Sequence, residues 1–131
     1  MLIILSILTL QIIIDALGDG FRYKGVSVLS HICESIQLVL CSILLYLFNT
    51  LYFQEWLLLI TFYVTMRFVF FDAVFNLTSG LYIGYIGHSS LYDKFWQLFD
   101  KVGLSSATSA ALTFKILIAL PLLIITIIKL I

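Results

Sequence analysis

Four stretches of this chain, roughly 1–17, 26–48, 53–76 and 107–128, stay apolar long enough to cross about 30 Å of hydrocarbon, and each gathers its few polar residues onto one side. Only helices and closed barrels cross lipid, because every backbone N–H and C=O must be answered within the protein there. The expected fold is therefore all-α: one domain over 1–131, an integral membrane bundle of four transmembrane helices plus one amphipathic interfacial helix. Composition points the same way, since 63% of residues are hydrophobic and 11% charged, and seven basic with seven acidic side chains cannot coat a soluble domain of 131 residues. Residues 1–17 carry the small-x-small sequence Ala16-Leu17-Gly18, but no basic stretch precedes them and Asp15 stands where leader cleavage sites stay uncharged, which favours a retained span.

The net charge of zero offers no field to hold nucleic acid, and the aromatic residues fall in apolar runs rather than among lysines and arginines, so a nucleic-acid partner is not expected. Membrane lipids are the expected surroundings. Cys33 and Cys41 lie eight residues apart in the second span and share a face about 12 Å apart along the axis, too far to bridge. They read as buried free thiols, and four ligands at zinc spacing are missing.

Between the first two spans, Gly18-Asp19-Gly20-Phe21-Arg22-Tyr23-Lys24-Gly25 reads as a short polar turn at one membrane face. Counting Arg22, Lys24, Lys94 and Lys101 on that side against Lys129 on the other places both termini on the non-cytoplasmic side. In the long connection, Ser90 and Asp93 form a capping-box pattern, Gly103 stands at a C-terminal glycine position, and 90–101 reads as a surface helix. Tyr92, Phe95, Trp96 and Phe99 fall on its apolar arc and are the expected lipid-interface residues. Ahead of it, Tyr82-Ile83-Gly84-Tyr85-Ile86-Gly87-His88 repeats a Tyr-Ile-Gly unit and reads as an irregular stretch buried against the bundle. Asn76-Leu77-Thr78 fits a glycosylation sequon but sits at a helix end and is read as a cap, and Pro121 is expected to kink the last helix.

The stripes carry the functional content. The first span lines up Gln11, Asp15 and Asp19; the second Ser27, Ser30, His31, Glu34, Gln37 and Cys41; the third Gln54, Thr61, Thr65, Asp72 and Asn76. The fourth shows a seam of Thr108, Ala111, Lys115, Ala119 and Thr126. Arg67 lies about 140° around its helix from Asp72, so those two do not pair on one face. Charges are costly in oil, so Asp15, His31, Glu34, Arg67, Asp72 and Lys115 are expected to meet in one polar chamber open to the cytoplasmic side. Read structurally, this is a network in which Arg67 and Lys115 answer Glu34 and Asp72.

Read chemically, His31 and Glu34 at i and i+3 could bind a divalent metal with Asp15, Asp19 or Asp72, and His31, Glu34 and Asp72 are the candidate acid/base groups, with Arg67 and Lys115 for a phosphate. Gly84, Gly87, His88 and Asp93 offer a weaker headgroup-binding turn. No cofactor is indicated. Asp15, Asp19, Gly20 and Arg22 resemble the opening of the acidic Asp-Gly pattern of CDP-alcohol phosphotransferases, but the later Ala-Arg and two further spaced aspartates have no counterpart here, so that activity is not carried over. With no P-loop, dinucleotide fingerprint or Cys-x-x-Cys, the expected role is a self-associating protein or accessory subunit of a membrane complex, the alternatives being an enzyme on a lipid headgroup or phosphate and, more remotely, an ion or proton conductor.

Overall fold

The computed structural model describes residues 1–49, 51–83, 85–86, 91–103 and 106–130, and of Leu91 and Tyr92 the backbone alone. Among the described residues five helices follow one another: α1 (Leu2–Tyr23), α2 (Ser27–Phe48), α3 (Phe53–Ser79), α4 (Leu91–Lys101) and α5 (Ala107–Leu130). All except α4 are long and apolar enough to span a membrane, and no strand occurs among the described residues. The protein is an all-α integral membrane bundle. Four crossings return the chain to its starting side, so Met1 and Leu130 share one face, called here the terminal face, and α1 ends at the opposite, polar face.

The bundle is an open row. α1 packs along both α2 and α3, and α3 packs along α5, whereas α2 and α3 do not run along each other. They meet at the terminal face, where Phe48 and Trp56 approach to 4.5 Å between ring centroids. The half of the row toward that face is an apolar core built on Ile4, Leu5, Leu8, Leu44, Leu59, Phe62, Leu123 and Leu130. The other half carries the interhelical ion pairs.

α1 and α3 run furthest past their expected ends, for identifiable reasons. α1 continues through Gly18, Asp19 and Gly20 to Tyr23, so the expected polar turn shrinks to the few residues around Gly25, whose φ of +75° suits a residue without a Cβ. Gly18 and Gly20 serve packing instead. A Cβ on Gly18 would lie 3.1 Å from Cβ of Cys33 on α2, and one on Gly20 would lie 2.6 Å from Cβ of Thr78 on α3. Small residues that let backbones approach are the usual currency of helix association in lipid, and they occur here on α1 as well as on α5. α3 continues to Ser79 and stops at Gly80, where Leu81 N–H donates to Asn76 O at 2.8 Å and Gly80 N–H to Leu77 O at 3.2 Å, a Schellman ending.

Asn76 does more than cap. It is buried in the last turn of α3, and its Nδ2 donates to Ile83 O (3.0 Å) and Tyr85 O (2.9 Å), holding the connecting segment by its backbone. Because the backbone is held, Tyr82, Ile83 and Tyr85 turn outward, and these residues are exposed rather than buried as the Tyr-Ile-Gly repeat suggested. Gly84, Gly87, His88 and Ser90, with the capping box expected of Ser90, lie outside the described residues. Gly103 ends the α4 segment at φ +71°, as its position predicts.

α4 does not present its whole aromatic arc outward. Trp96 is buried with Ala107 and Ala111 of α5, and its ring lies 6.2 Å from Phe68 of α3 and 5.7 Å from Phe114 of α5. Phe99 stacks on it at 5.8 Å, so of the four expected interface residues Phe95 is the one left exposed, and the Tyr92 side chain lies outside the described residues. Asp100 Oδ1 accepts the Ala107 N–H (2.9 Å) and Ser106 Oγ accepts the Ser109 N–H (3.2 Å), so α4 and its connection answer the free donors at the start of α5. Within α5, Lys115–Ala119 form a π turn in which Leu120 N–H donates to Lys115 O. Pro121 explains it, because proline supplies no N–H and its ring crowds the carbonyl four residues back, which a wider turn relieves.

Gly20→Ala separates packing from propensity. A helix interior gains about 1 kcal/mol when Gly becomes Ala, whereas overpacking against Thr78 should cost about 1–3 kcal/mol. The variant should unfold at lower temperature in mild detergent, and a variant more stable than the parent would show that α1 and α3 do not approach here.

Candidate functional site

The site grows from a single carboxylate on the middle helix of three. Asp15 lies eight residues, or about 12 Å, from the polar-face end of α1, on the side where α2 and α3 diverge. Its Oδ1 accepts Gln37 Nε2 of α2 at 2.7 Å, and its Oδ2 pairs with Arg67 Nη1 of α3. One anion thus ties both neighbours to α1. The Arg67 guanidinium also lies over the Phe71 ring at 4.1 Å, one helical turn on, so part of its surface is shielded by an aromatic face.

A second group sits one to two turns closer to the polar face. Arg22, near the end of α1, reaches Asp19 on its own helix at 3.1 Å and pairs with Glu34 of α2. Glu34 Oε2 also meets His31 Nδ1 at 2.9 Å, the i and i+3 contact that the spacing predicts. His31 stands at the outer edge, with three quarters of its side chain (75%) exposed. Toward the apolar core the stripe continues with Gln11 Nε2 donating to Cys41 Sγ at 3.1 Å.

The third pair is elsewhere. Lys115 Nζ of α5 donates to Asp72 Oδ2 of α3 at 2.8 Å, with the lysine side chain 15% exposed and its Nζ 5.8 Å from the Phe68 ring centre. This pair occupies the α3–α5 seam, whereas Arg67 points to α1, as the angle between Arg67 and Asp72 around α3 requires. Asp15, Glu34 and His31 therefore come together, and Asp72 with Lys115 forms a separate centre rather than joining one chamber. The expected partner of Glu34 also changes. Arg67 is taken by Asp15, and Glu34 is answered by Arg22, which extension of α1 past Gly18 carries to it.

The hydroxyl groups of the stripes are mostly occupied locally. Thr61 and Thr65 donate to Leu57 O (2.8 Å) and Thr61 O (2.7 Å), and Thr126 to Leu122 O (2.8 Å), each closing on its own helix. On α5 the buried seam is Ala107, Ala111, Ala119, Leu123 and Thr126, with Thr108 only half-buried beside it. No group of three or more His, Cys, Asp and Glu side chains close enough to hold a metal ion occurs among the described residues. Asp15 pairs with Arg67, Asp19 and Glu34 with Arg22, and His31 with Glu34.

Because α2 and α3 both pack on α1 but do not run along each other, a cleft opens between them. Its polar part, about 380 Å³, is lined by Gln11, Asp15, Glu34, Gln37, Leu38, Cys41 and Tyr63. Its apolar part, about 410 Å³, runs toward the terminal face between Leu8, Leu44, Leu45, Phe48, Trp56, Leu59 and Ile60, and shares Gln11, Cys41 and Tyr63 with the polar part. Comparison of the chain with protein-family models, with curated proteins and with solved structures returns no match.

A double-mutant cycle on Asp15→Asn and Arg67→Gln measures the clasp. Each single change leaves a charge without its partner in a lipid-facing seam and should lower stability by about 2 kcal/mol, less than a fully buried pair because both groups are partly exposed. The double variant should lose less than the sum of the two, and strict additivity would show that the pair is not formed.

Proposed function

We propose that this chain works by association within the membrane, with copies of itself or as an accessory subunit of a larger membrane complex. The observation that carries this reading is the use to which the charges are put. Asp15, Glu34, Arg67, Asp72 and Lys115 are each engaged by an oppositely charged group on a neighbouring helix of the same chain, so they act as interhelical fasteners. The helix row is also unclosed, with α2 and α5 each packed along one flank by a single spanning neighbour. A four-span protein of this form offers two long lipid-facing flanks on which further helices can dock by small-residue and van der Waals contact.

The reading includes an orientation. Arg22, Lys24, Lys94 and Lys101 belong to the polar face and Lys129 to the terminal face. The positive-inside rule then puts the polar face in the cytoplasm and both chain ends outside. α4, docked at that face through Trp96 with Phe95, Leu98 and Val102 exposed, would lie at the headgroup boundary.

A second reading has one specific observation in its favour. Glu34 and Asp15 border a cleft of pocket size and His31 contacts Glu34 from outside it, so a membrane enzyme acting on a lipid headgroup could use Glu34 and His31 as its acid/base pair. His31→Ala and Glu34→Gln separate the two. Under the association reading both variants keep any assembly seen with the parent, or lose it together with stability, and no turnover of headgroups is detected with either the parent or the variants.

Counting polypeptides per particle, after extraction into native nanodiscs, tests association directly: more than one polypeptide, or a co-extracted membrane partner, is expected. A lone chain with lipid turnover would favour the enzyme. Reporter fusions after Ile131 test orientation, and activity of a periplasm- or lumen-dependent reporter is the expected result, whereas a cytoplasm-dependent signal would reverse the topology.

A further inference from the structure

The cleft between α2 and α3 is divided in a way that ion pairing alone does not require. Its apolar part lies beside the terminal-face half of α1, and its polar part begins at Gln11 and reaches Asp15 and Glu34. Glu34 lies seven residues, or about 10 Å, from the polar-face end of α2. A molecule filling both parts would place a polar end among Asp15, Glu34, Gln37 and Tyr63, and an apolar tail between Leu44, Phe48, Trp56 and Ile60 along the membrane normal.

The charge of that polar end follows from the side chains present. Two carboxylates, two amides and a phenol contribute to the lining, and no lysine or arginine does. The guanidiniums of Arg67 and Arg22 pair with Asp15 and Glu34 from outside that lining, so the wall of the cleft itself presents carboxylate oxygens rather than cations. Lys24 is not part of the lining and lies against Gly80 at the end of α3. Each carboxylate has about four lone-pair sites, so Asp15 and Glu34 keep acceptor capacity after the contacts already described. An ammonium group held against those oxygens gains charge-assisted contacts with them.

We infer that the α2–α3 cleft is a binding site for a single-chain amphiphile with a cationic ammonium head, the head between Asp15 and Glu34 and the alkyl chain in the slot beside Trp56. An anionic or phosphate head is repelled by the same lining. The inference is independent of self-association, because every lining residue comes from one copy of the chain.

Trp56 lines the slot, and the sequence has one other tryptophan, Trp96, so a Trp96→Phe background makes Trp56 emission a local reporter. Titration with dodecyltrimethylammonium in maltoside micelles should give a saturable emission change, while dodecanoate, of equal chain length and opposite charge, should give none. The maltoside itself is the uncharged control. Glu34→Gln should weaken the response about tenfold by removing one anion from the head site. Ile60→Phe, which fills the slot and leaves every ion pair intact, should weaken it comparably and guards against an effect of Glu34→Gln on helix packing. Saturation by dodecanoate at similar concentration, no saturable change with the cation, or an unaltered response in either variant would overturn the inference.

Discussion

The structure depends on one ionised carboxylate that two different helices share. A charge at membrane depth persists only if it is paired, and Asp15 meets that condition with Arg67 from α3, while Gln37 from α2 donates to its other oxygen. α1 is consequently the middle helix of its group, and this is compatible with its sequence: Ala16 and Gly20 on the same helix are small enough to let backbones approach. Charge and close packing reinforce each other here, since an ion pair of short reach forms only if the helices come near, and the glycines permit that approach.

From this arrangement the rest follows in order. With both α2 and α3 drawn to α1, they diverge above it and leave a cleft whose floor is α1. Its apolar end is closed at the terminal face by Phe48 against Trp56, and its polar end is bordered by the carboxylates. Asp72 points away from the cleft and is matched by Lys115 across the α3–α5 seam, so the two flanks of α3 are each fixed by an ion pair of opposite polarity. Arg67 and Asp72 on one helix thus pair outward in two directions, and this sets the open row. A ring of helices would bring these groups to a common centre.

Much of this was legible in the residues. The four spans, the α4 helix, the single-sided stripes and the separation of Arg67 from Asp72 all follow from apolar run length and helical period, which depend on local sequence alone. What one sequence does not encode is which stripe meets which. Pairing Glu34 with Arg67 was reasonable by charge, but the pairing is decided by α1 running on to Tyr23, which brings Arg22 to Glu34. The signal for it is Ala16 and Gly20 at i and i+4, a small-residue pair that marks a packing face in lipid, whereas glycines next to Asp and Arg read more naturally as a turn. Trp96 misled in a similar way: amphipathicity identifies an apolar face but not whether lipid or Phe68 and Phe114 cover it. The outward Tyr82, Ile83 and Tyr85 depend on Asn76, whose two backbone acceptors lie beyond a turn and have no periodic signature.

The claim that Asp15 holds α2 and α3 against α1 is tested most directly by the distance between those two helices. Spin labels at the exposed positions Leu38 on α2 and Val64 on α3, in lipid nanodiscs, report it by double electron–electron resonance. With Asp15 present, a single narrow distance distribution is expected, and with Asp15→Leu it should broaden and shift to longer separation as Gln37 and Arg67 lose their common partner. An Asp15→Leu protein with the parent's narrow distribution would contradict the account.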